Sequence, residues 1–287
     1  MLIILSQLNI ISHFVNILKI LNDDFYIFFK KLVVHIYNNI VGYDVHTPLT
    51  EHDFCGIMTF GVCCSTRSTM EKKLLIFDLD GTLADTIHTI RDAVNMCMEH
   101  FGYPTLTYTQ TRDNVGFGAR ELIRRSLPPE VAESKEKYEE IFEYFTPCYR
   151  ITHDKIDGCY DGLYEVVCEL YRSGFELAVL SNKPDALVGG IVKKLFPDGM
   201  FKIAQGQTEL PKKPDPTVPV MIAKQLGYAP SDTYFIGDSE VDVLTAKNAG
   251  MHSVAVSWGF RSREVLENSA PDVIVDTPDE LLRFFAE

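Results

Sequence analysis

The amino-acid sequence predicts an α/β fold with a doubly wound, mainly parallel sheet and a helical domain inserted after the first strand. From residue 72 onward, short continuous apolar runs alternate with helical segments. This alternation is typical of parallel strands whose two faces are both covered by helices. Between about residues 87 and 157 the strand signal is absent and the pattern is helical. The length of 287 residues allows one large domain or two modest ones.

Several of the apolar runs end in polar side chains. Asp78, Ser181 and Asp238 each stand where a predicted strand stops. Because ligands of open α/β sheets bind outside the carboxyl ends of the strands, we expect these side chains to face one site. The predicted strands are Leu74–Leu79, Glu176–Leu180, Lys202–Ala204, Thr233–Ile236, His252–Ser257 and Asp272–Val275.

The helical segment is predicted to be a separate domain. Residues 70–86 and 158–287 are expected to form the core, and residues 87–157 the insertion. Asp157-Gly158 marks the return of the chain to the core and is a turn signal typical of a hinge. The helices predicted within the insertion are 88–100, 119–126 and 130–145.

Residues 1–69 form an N-terminal extension of unknown role. Apolar positions in residues 1–21 recur at helical spacing but are interrupted by polar side chains, which favours an amphipathic helix over a membrane-spanning one. A secretory signal is not expected, because a basic start and a small-residue cleavage site are both missing. Membrane association through residues 1–41 is kept as an alternative. We also hypothesise that translation begins at Met70, which N-terminal sequencing of the native protein would test.

Composition excludes several classes of protein. Apolar residues make up 46% and charged residues 23%, so a disordered or collagen-like chain is not expected. The net charge of −13 argues against nucleic acid as a partner, since phosphate backbones are bound by clustered Lys and Arg. The seven cysteines show no C-x-x-C spacing, which favours free thiols and a cytoplasmic location.

Two carboxylates stand two residues apart where the first strand ends. Asp78 and Asp80 point to the same side if the strand continues, and their mutual repulsion would add to the cost of burial. A divalent cation would relieve that repulsion, and carboxylate and carbonyl oxygens suit Mg²⁺. Gly81 permits a sharp turn whose backbone amides can face an anion.

Three further groups of polar residues follow in the chain. Asp242 lies one helical turn after Asp238, so both carboxylates can face one site. Ser181 and Asn182 stand before a predicted helix and can hold phosphate oxygens. Lys213 can neutralise both a carboxylate and a phosphoryl group. Each group alone also fits a helix cap or a solvated lysine, but the combination is far more specific.

Together these motifs resemble those of the haloacid dehalogenase superfamily. They read D-x-D-G-T at 78–82, Ser181, Lys213 and G-D-x-x-x-D at 237–242. The resemblance covers residues 70–287 and is strongest to phosphoglycolate phosphatases. The additional stretches that carry it are residues 83–86, 181–184, 212–216 and 258–263.

The resemblance implies a Rossmann-like core with a helical cap and an aspartyl-phosphate mechanism. Asp78 would attack phosphorus, and Asp80 would protonate the leaving group and then deprotonate water. Mg²⁺ would be held by the Asp78 side chain, the Asp80 main-chain carbonyl and Asp238. Asp242 would support the metal or Lys213 from a second layer.

The substrate implied is a small organic phosphomonoester, and 2-phosphoglycolate is the expected one. Ser181 and Lys213 are assigned as catalytic residues that grip the phosphoryl oxygens. Arg120, in the helical insertion, could meet a substrate carboxylate. The residues assigned to substrate binding are Gly81, Thr82, Arg120 and Asn182.

Alternative functions stay open at this point. Within the same superfamily they are a phosphatase for nucleotides, pyrophosphate or sugar phosphates, and a phosphosugar mutase. A binding or scaffolding protein that has kept the fold without activity is a different class, and the intact set of acids and lysine argues against it. The sequence leaves the exact substrate and the oligomeric state undetermined.

Overall fold

The computed structural model describes residues 73–153, 155 and 158–286. The N-terminal extension, with its predicted amphipathic helix and the alternative of membrane association through residues 1–41, lies outside the described residues. Within the part of the chain that is described, no helix combines the length and apolar character needed to cross a membrane.

The core is a six-stranded sheet in which every neighbouring pair is parallel. The strand order is β3-β2-β1-β4-β5-β6, which confirms the predicted doubly wound arrangement. The order reverses at β1, so the crevice between the ends of β1 and β4 is where a ligand is expected. The strands are β1 (Leu74–Phe77), β2 (Glu176–Pro184), β3 (Phe201–Gln207), β4 (Thr233–Gly237), β5 (His252–Val256) and β6 (Val273–Val275).

The central strand β1 shows why a continuous apolar run forms this sheet. Its four residues are all fully buried. Leu75 and Phe77 belong to the hydrophobic cluster on one face, while Leu74 and Ile76 belong to the cluster on the other. Because successive side chains of a strand point to opposite faces, a strand covered on both sides must be apolar at every position.

Two strands are longer than the sequence predicts by four residues each. β3 extends over Phe201–Gln207 instead of residues 202–204, and β2 continues past residue 180 to Pro184. The two strands pair with each other, with a register shift between Leu180 and Pro184. Backbone hydrogen bonds between paired strands form whatever the side chains are. Polar residues can therefore belong to both strands, and the apolar pattern underestimates their length.

Helices cover the sheet and build the segment between β1 and β2. One short 3₁₀ turn, Pro230–Asp232, precedes β4. The α-helices are α1 (Ile87–His100), α2 (Tyr108–Asn114), α3 (Ala119–Ser126), α4 (Pro129–Ala132), α5 (Lys135–His153), α6 (Leu163–Arg172), α7 (Asp185–Leu195), α8 (Thr217–Leu226), α9 (Glu240–Ala249), α10 (Arg263–Asn268) and α11 (Pro278–Ala286).

The segment from α1 to α5 has a hydrophobic cluster of its own. Its largest fully buried members include Ile90 and Met98 of α1, Ile123 of α3 and Phe145 of α5. Most of the cluster comes from these helices, and Phe260 joins it from the loop between β5 and α10. A segment that buries its own apolar faces in this way can pack as a unit.

The helix predictions for this segment are confirmed in part. Two of the three predicted helices match α1 and α3, whereas the predicted helix over 130–145 is divided into α4 and α5. The helix α2 was missed. Its start carries a capping box in which Thr107 and Gln110 satisfy each other's backbone N–H groups, a T-x-x-Q pattern that the sequence displays.

We expect Leu75→Ala to lower the free energy of unfolding by about 2–5 kcal/mol, because it leaves a cavity in the central strand. Leu75 has no exposed surface, whereas Leu210 is 38% exposed. Leu210→Ala is therefore the matched control and should change stability by less than about 0.5 kcal/mol. Urea denaturation measures both, and equal losses would contradict the assignment of Leu75 to the core.

Candidate active site

Three buried carboxylates meet where β1 and β4 end. Asp78 directly follows β1, Asp238 directly follows β4, and Asp242 lies in the first turn of α9. Ligand oxygens of these three residues all lie within 4.8 Å of one another. The Asp78 N–H donates to Ile236 O at 2.8 Å, which continues the ladder of the two strands and brings their ends together. The expectation that these acids face one site is therefore met in the structure.

A single ammonium group lies between two of the carboxylates. Lys213 Nζ is 2.9 Å from Asp78 Oδ1 and 2.7 Å from Asp242 Oδ1, and its side chain is 2% exposed. The Lys213 backbone is fixed by Asn182, whose Oδ1 accepts from Lys213 N at 2.9 Å and whose Nδ2 donates to Lys213 O at 3.1 Å. The Asn182 amide, predicted to bind substrate, is thus occupied in holding Lys213.

Asp238 is held by the loops that follow β1 and β5. Thr82 Oγ1 donates to Asp238 Oδ1 at 3.1 Å, and Phe260 N donates to Asp238 Oδ2 at 2.7 Å. Gly81, at φ +88°, brings its backbone so close that a Cβ there would stand 2.4 Å from Asp238 Oδ2. Thr82 and Gly81, assigned to substrate from the sequence, both touch Asp238 in the structure.

Asp242 orients Lys213 from the start of α9. Its Oδ2 accepts from Ser239 N at 3.1 Å and from Ser239 Oγ at 2.6 Å, while Oδ1 faces Lys213. A Cβ at Gly237 would lie 2.3 Å from Asp242, so only glycine fits at that position. Both oxygens of Asp242 are therefore engaged with protein donors.

Burial dominates the electrostatics of the cluster. It raises the pKa of Asp78 to about 7, against the opposing charge of Lys213, and raises the pKa of Asp238 to about 8 with help from Asp242 and Asp78. Burial opposes the charge on Lys213, but Asp242 and Asp78 more than compensate and raise the pKa of its ammonium. The cluster is short of positive charge, which is the condition that a bound cation would relieve.

The donor set fits a hard divalent cation. Asp78 Oδ1 is buried and accepts no hydrogen bond, its contact with Lys213 being an ion pair. Asp238 offers two oxygens that each accept one hydrogen bond and keep lone pairs free. Carboxylate oxygens in a small cluster are what Mg²⁺ binds, whereas thiols and imidazoles are missing from the cluster.

Asp80 has a partner that the sequence reasoning missed. Lys183 Nζ lies 3.0 Å from Asp80 Oδ1 and 3.2 Å from Oδ2, and it donates to Tyr149 Oη at 2.6 Å. Lys183 belongs to the Ser-Asn-Lys-Pro stretch, so its position two residues after Ser181 was a visible signal. Tyr149 lies within the long helix α5, and no local pattern distinguishes it from a packing residue.

A cavity that is open to solvent lies beside these groups. Ser181 lines it, and Ser181 Oγ accepts from Lys183 N at 3.2 Å. The ends of β1 and β2 and the helical segment between them all contribute to the wall of the cavity. The lining residues are Asp78, Asp80, Ile90, Val115, Gly116, Gly118, Ala119, Leu122, Tyr149, Ser181, Asn182, Lys183 and Pro184.

Arg120 is not brought to the carboxylate cluster. Its guanidinium makes two hydrogen bonds to Glu139, at 2.8 and 3.1 Å, and its side chain is 58% exposed. It is absent from the cavity wall, although the neighbouring Ala119 is part of it. A contact between Arg120 and a substrate carboxylate would require this ion pair to open.

The fold and these motifs define a family. Residues 75–256 match the family model of haloacid dehalogenase-like hydrolases. The chain therefore belongs to the haloacid dehalogenase-like hydrolase family, which confirms the resemblance seen in the sequence and the expectation of an enzyme.

The similar proteins include phosphatases. The chain is 32% identical to phosphoglycolate phosphatase 1 of Pseudomonas aeruginosa over 219 residues, which are 75% of this chain and 80% of that protein. It is 33% identical to a phosphoglycolate phosphatase of Vibrio vulnificus over 217 residues, 74% of this chain and 95% of that protein. The crystal structure of a predicted phosphoglycolate phosphatase from Haemophilus somnus superposes with a TM-score of 0.70 at 26% identity, covering 76% of this chain and all of that one.

The raised pKa values predict a pH dependence of stability. Because Asp78 and Asp238 titrate at about 7 and 8 instead of 3.8, the folded protein binds more protons than the unfolded chain between those values. The protonated carboxyl groups therefore favour the folded state, and this contribution to the free energy of unfolding is fully present below about pH 4. It is lost as the pH rises to 8 and both groups ionise. We expect the melting temperature in EDTA to fall from pH 5 to pH 8.

Asp238→Asn should reduce that fall, because an amide does not titrate. The variant is compared with the wild type by thermal denaturation at each pH, both in EDTA. An identical pH slope in the two proteins would contradict the assignment of the raised pKa to this carboxyl group.

Proposed function

We propose that this protein is a Mg²⁺-dependent phosphatase that hydrolyses a small organic phosphomonoester, 2-phosphoglycolate, to the alcohol and inorganic phosphate. The observation that carries the proposal is the placement of Lys213 between Asp78 and Asp242, with Asp238 beside them. A buried carboxylate flanked by a buried ammonium and a cation-binding carboxylate is equipped to attack an anionic phosphorus centre.

Asp78 is assigned as the nucleophile. A carboxylate and a phosphate dianion repel each other strongly in a buried site, so positive charge must lie next to both. Lys213 supplies part of that charge from 2.9 Å. Mg²⁺, held by Asp78, Asp238 and the Asp80 carbonyl, would supply the rest by neutralising phosphoryl oxygens. Attack forms a bond between an Asp78 oxygen and phosphorus and breaks the bond from phosphorus to the substrate oxygen.

Asp80 is assigned as the acid and base. It gives a proton to the substrate oxygen as that oxygen leaves, which releases the alcohol. It then takes a proton from the water that attacks the phosphorylated Asp78, which releases phosphate and restores the carboxylate. Ser181, which lines the cavity, would donate a hydrogen bond to the phosphoryl oxygens. Asp242 holds Lys213 in place through the 2.7 Å contact.

We assign the segment 87–157 as a cap over the site. Ile90, Val115, Leu122 and Tyr149, all from this segment, line the cavity that Asp78 also lines. Apolar walls exclude water, and exclusion of water strengthens every charge interaction in the site. The assignment of 2-phosphoglycolate as substrate is supported by the similarity to phosphoglycolate phosphatases at 32–33% identity.

A substrate panel tests the reaction. We expect phosphate release from 2-phosphoglycolate in MgCl₂, with a higher kcat/KM than from nucleotides, pyrophosphate or sugar phosphates, and no release in EDTA. Restoration by added Mg²⁺ distinguishes metal loss from unfolding. Equal activity in EDTA would exclude a metal requirement. A higher kcat/KM on a sugar phosphate than on 2-phosphoglycolate would make the sugar phosphate the preferred substrate. Transfer of phosphate within a sugar, without its release, would indicate a mutase.

Asp78→Asn should lower kcat by at least about 10³-fold, because the amide is a poor nucleophile. The matched control is Asp198→Asn, at an exposed position remote from the cluster, which should retain the wild-type rate. Phosphate release measures both variants, and denaturation curves check that both are folded. A rate for Asp78→Asn within tenfold of wild type would exclude Asp78 as the nucleophile.

A further inference from the structure

We propose that Lys183 and Tyr149 are positioning residues that hold the Asp80 carboxyl group in place for its proton transfers. The inference deepens the proposed function and rests on it, since it assigns how the acid and base of that reaction is oriented. Neither residue belongs to the four motifs that identify the family.

The first support is the contact between Lys183 and Asp80. The ammonium lies 3.0 and 3.2 Å from the two oxygens of Asp80, so it constrains both the position and the plane of the carboxyl group. Among the residues that the structure describes, no other side chain donates a hydrogen bond to that group. The orientation of Asp80 therefore depends on Lys183.

The second support is the origin of Tyr149. It comes from α5, in the segment between β1 and β2, whereas Lys183 lies at the carboxyl end of β2. The Tyr149 hydroxyl accepts from Lys183 Nζ at 2.6 Å, and the ammonium also stands 4.5 Å from the centre of the Tyr149 ring. The helical segment thus contributes directly to the placement of the ammonium that holds Asp80.

The third support is the cost of the arrangement. The Lys183 side chain is 1% exposed, and a buried ammonium is costly unless it is well paired. An apolar side chain at this position would avoid that cost. The ammonium instead lies in the wall of the cavity, where it contacts the carboxyl group that we assign to proton transfer.

Positioning has a consequence that depends on the leaving group. An alkoxide leaving group needs a proton from Asp80 as it departs, whereas 4-nitrophenolate is stable without one. A misplaced acid should therefore slow hydrolysis of 2-phosphoglycolate far more than hydrolysis of 4-nitrophenyl phosphate. The quantity to compare is kcat/KM, because it reports the steps up to departure of the leaving group.

The test uses Lys183→Met and Tyr149→Phe in the full chain with Mg²⁺. For Lys183→Met we expect kcat/KM on 2-phosphoglycolate to fall by about 10–100-fold, the range typical of a displaced acid, with a fall below about threefold on 4-nitrophenyl phosphate. For Tyr149→Phe, which removes only the hydroxyl, we expect a smaller loss in the same pattern. The inhibition constant of inorganic phosphate should stay within about twofold of wild type in both, since ground-state binding is unchanged.

The controls are chosen from the same kinds of position. Tyr138→Phe removes a hydroxyl from the same helix, where it donates to Arg120 O, and Lys193→Met removes an exposed ammonium from α7. Both should leave kcat/KM within about twofold on either substrate. If Lys183→Met fails to fold, Tyr149→Phe carries the test alone.

Three results would overturn the proposal. An equal loss of kcat/KM on the two substrates would indicate that Lys183 acts in the nucleophilic attack or in folding. A rise in KM for 2-phosphoglycolate with unchanged kcat would make Lys183 a ligand of the substrate carboxylate. Wild-type rates in both variants would deny it any role. If the wild-type protein itself releases no phosphate from either ester, the proposed function falls first, and the positioning role falls with it.

Discussion

The buried ion pair network around Lys213 is the constraint on which the rest of the site depends. Asp78 and Asp242 both place an oxygen within 3 Å of the Lys213 ammonium, and Asp238 lies beside them without an ion pair to any residue that the structure describes. Burying several carboxylates together is unfavourable because each loses its hydration and repels the others. The protein tolerates this by fixing one cation between two acids and leaving an arrangement that a divalent ion would complete.

The sheet explains how residues far apart in the chain reach this network. β1 is the central strand at which the strand order reverses, and its end meets the end of β4. Parallel strands direct all their carboxyl ends to one edge of the sheet. Acids that follow different strands therefore converge in space although they are far apart in the sequence. Close approach of the loops then requires glycine at Gly81 and Gly237, where a Cβ would collide with Asp238 and Asp242.

The helical segment between β1 and β2 has a different relation to the site. It packs largely on its own hydrophobic cluster, yet Tyr149 and several apolar side chains reach the cavity that Asp78 lines. The groups assigned to phosphorus chemistry lie at the carboxyl edge of the sheet and in the loops that follow its strands, and the segment supplies part of the cavity wall and a hydroxyl next to Lys183. This division places the reacting groups on a rigid scaffold and leaves the shape of the cavity to the inserted helices.

The sequence by itself determined the elements whose patterns are strong and local. The apolar run of β1, the strand-end acids Asp78 and Asp238, and the helix α1 all follow from periodicity and punctuation. Only the tertiary structure decided which side chains meet across the chain. It engaged Arg120 with Glu139 and placed Lys183 against Asp80 and Tyr149, because such contacts depend on the packing of elements that are distant in the chain. The full length of β3 was decided in the same way, by backbone pairing with a neighbouring strand.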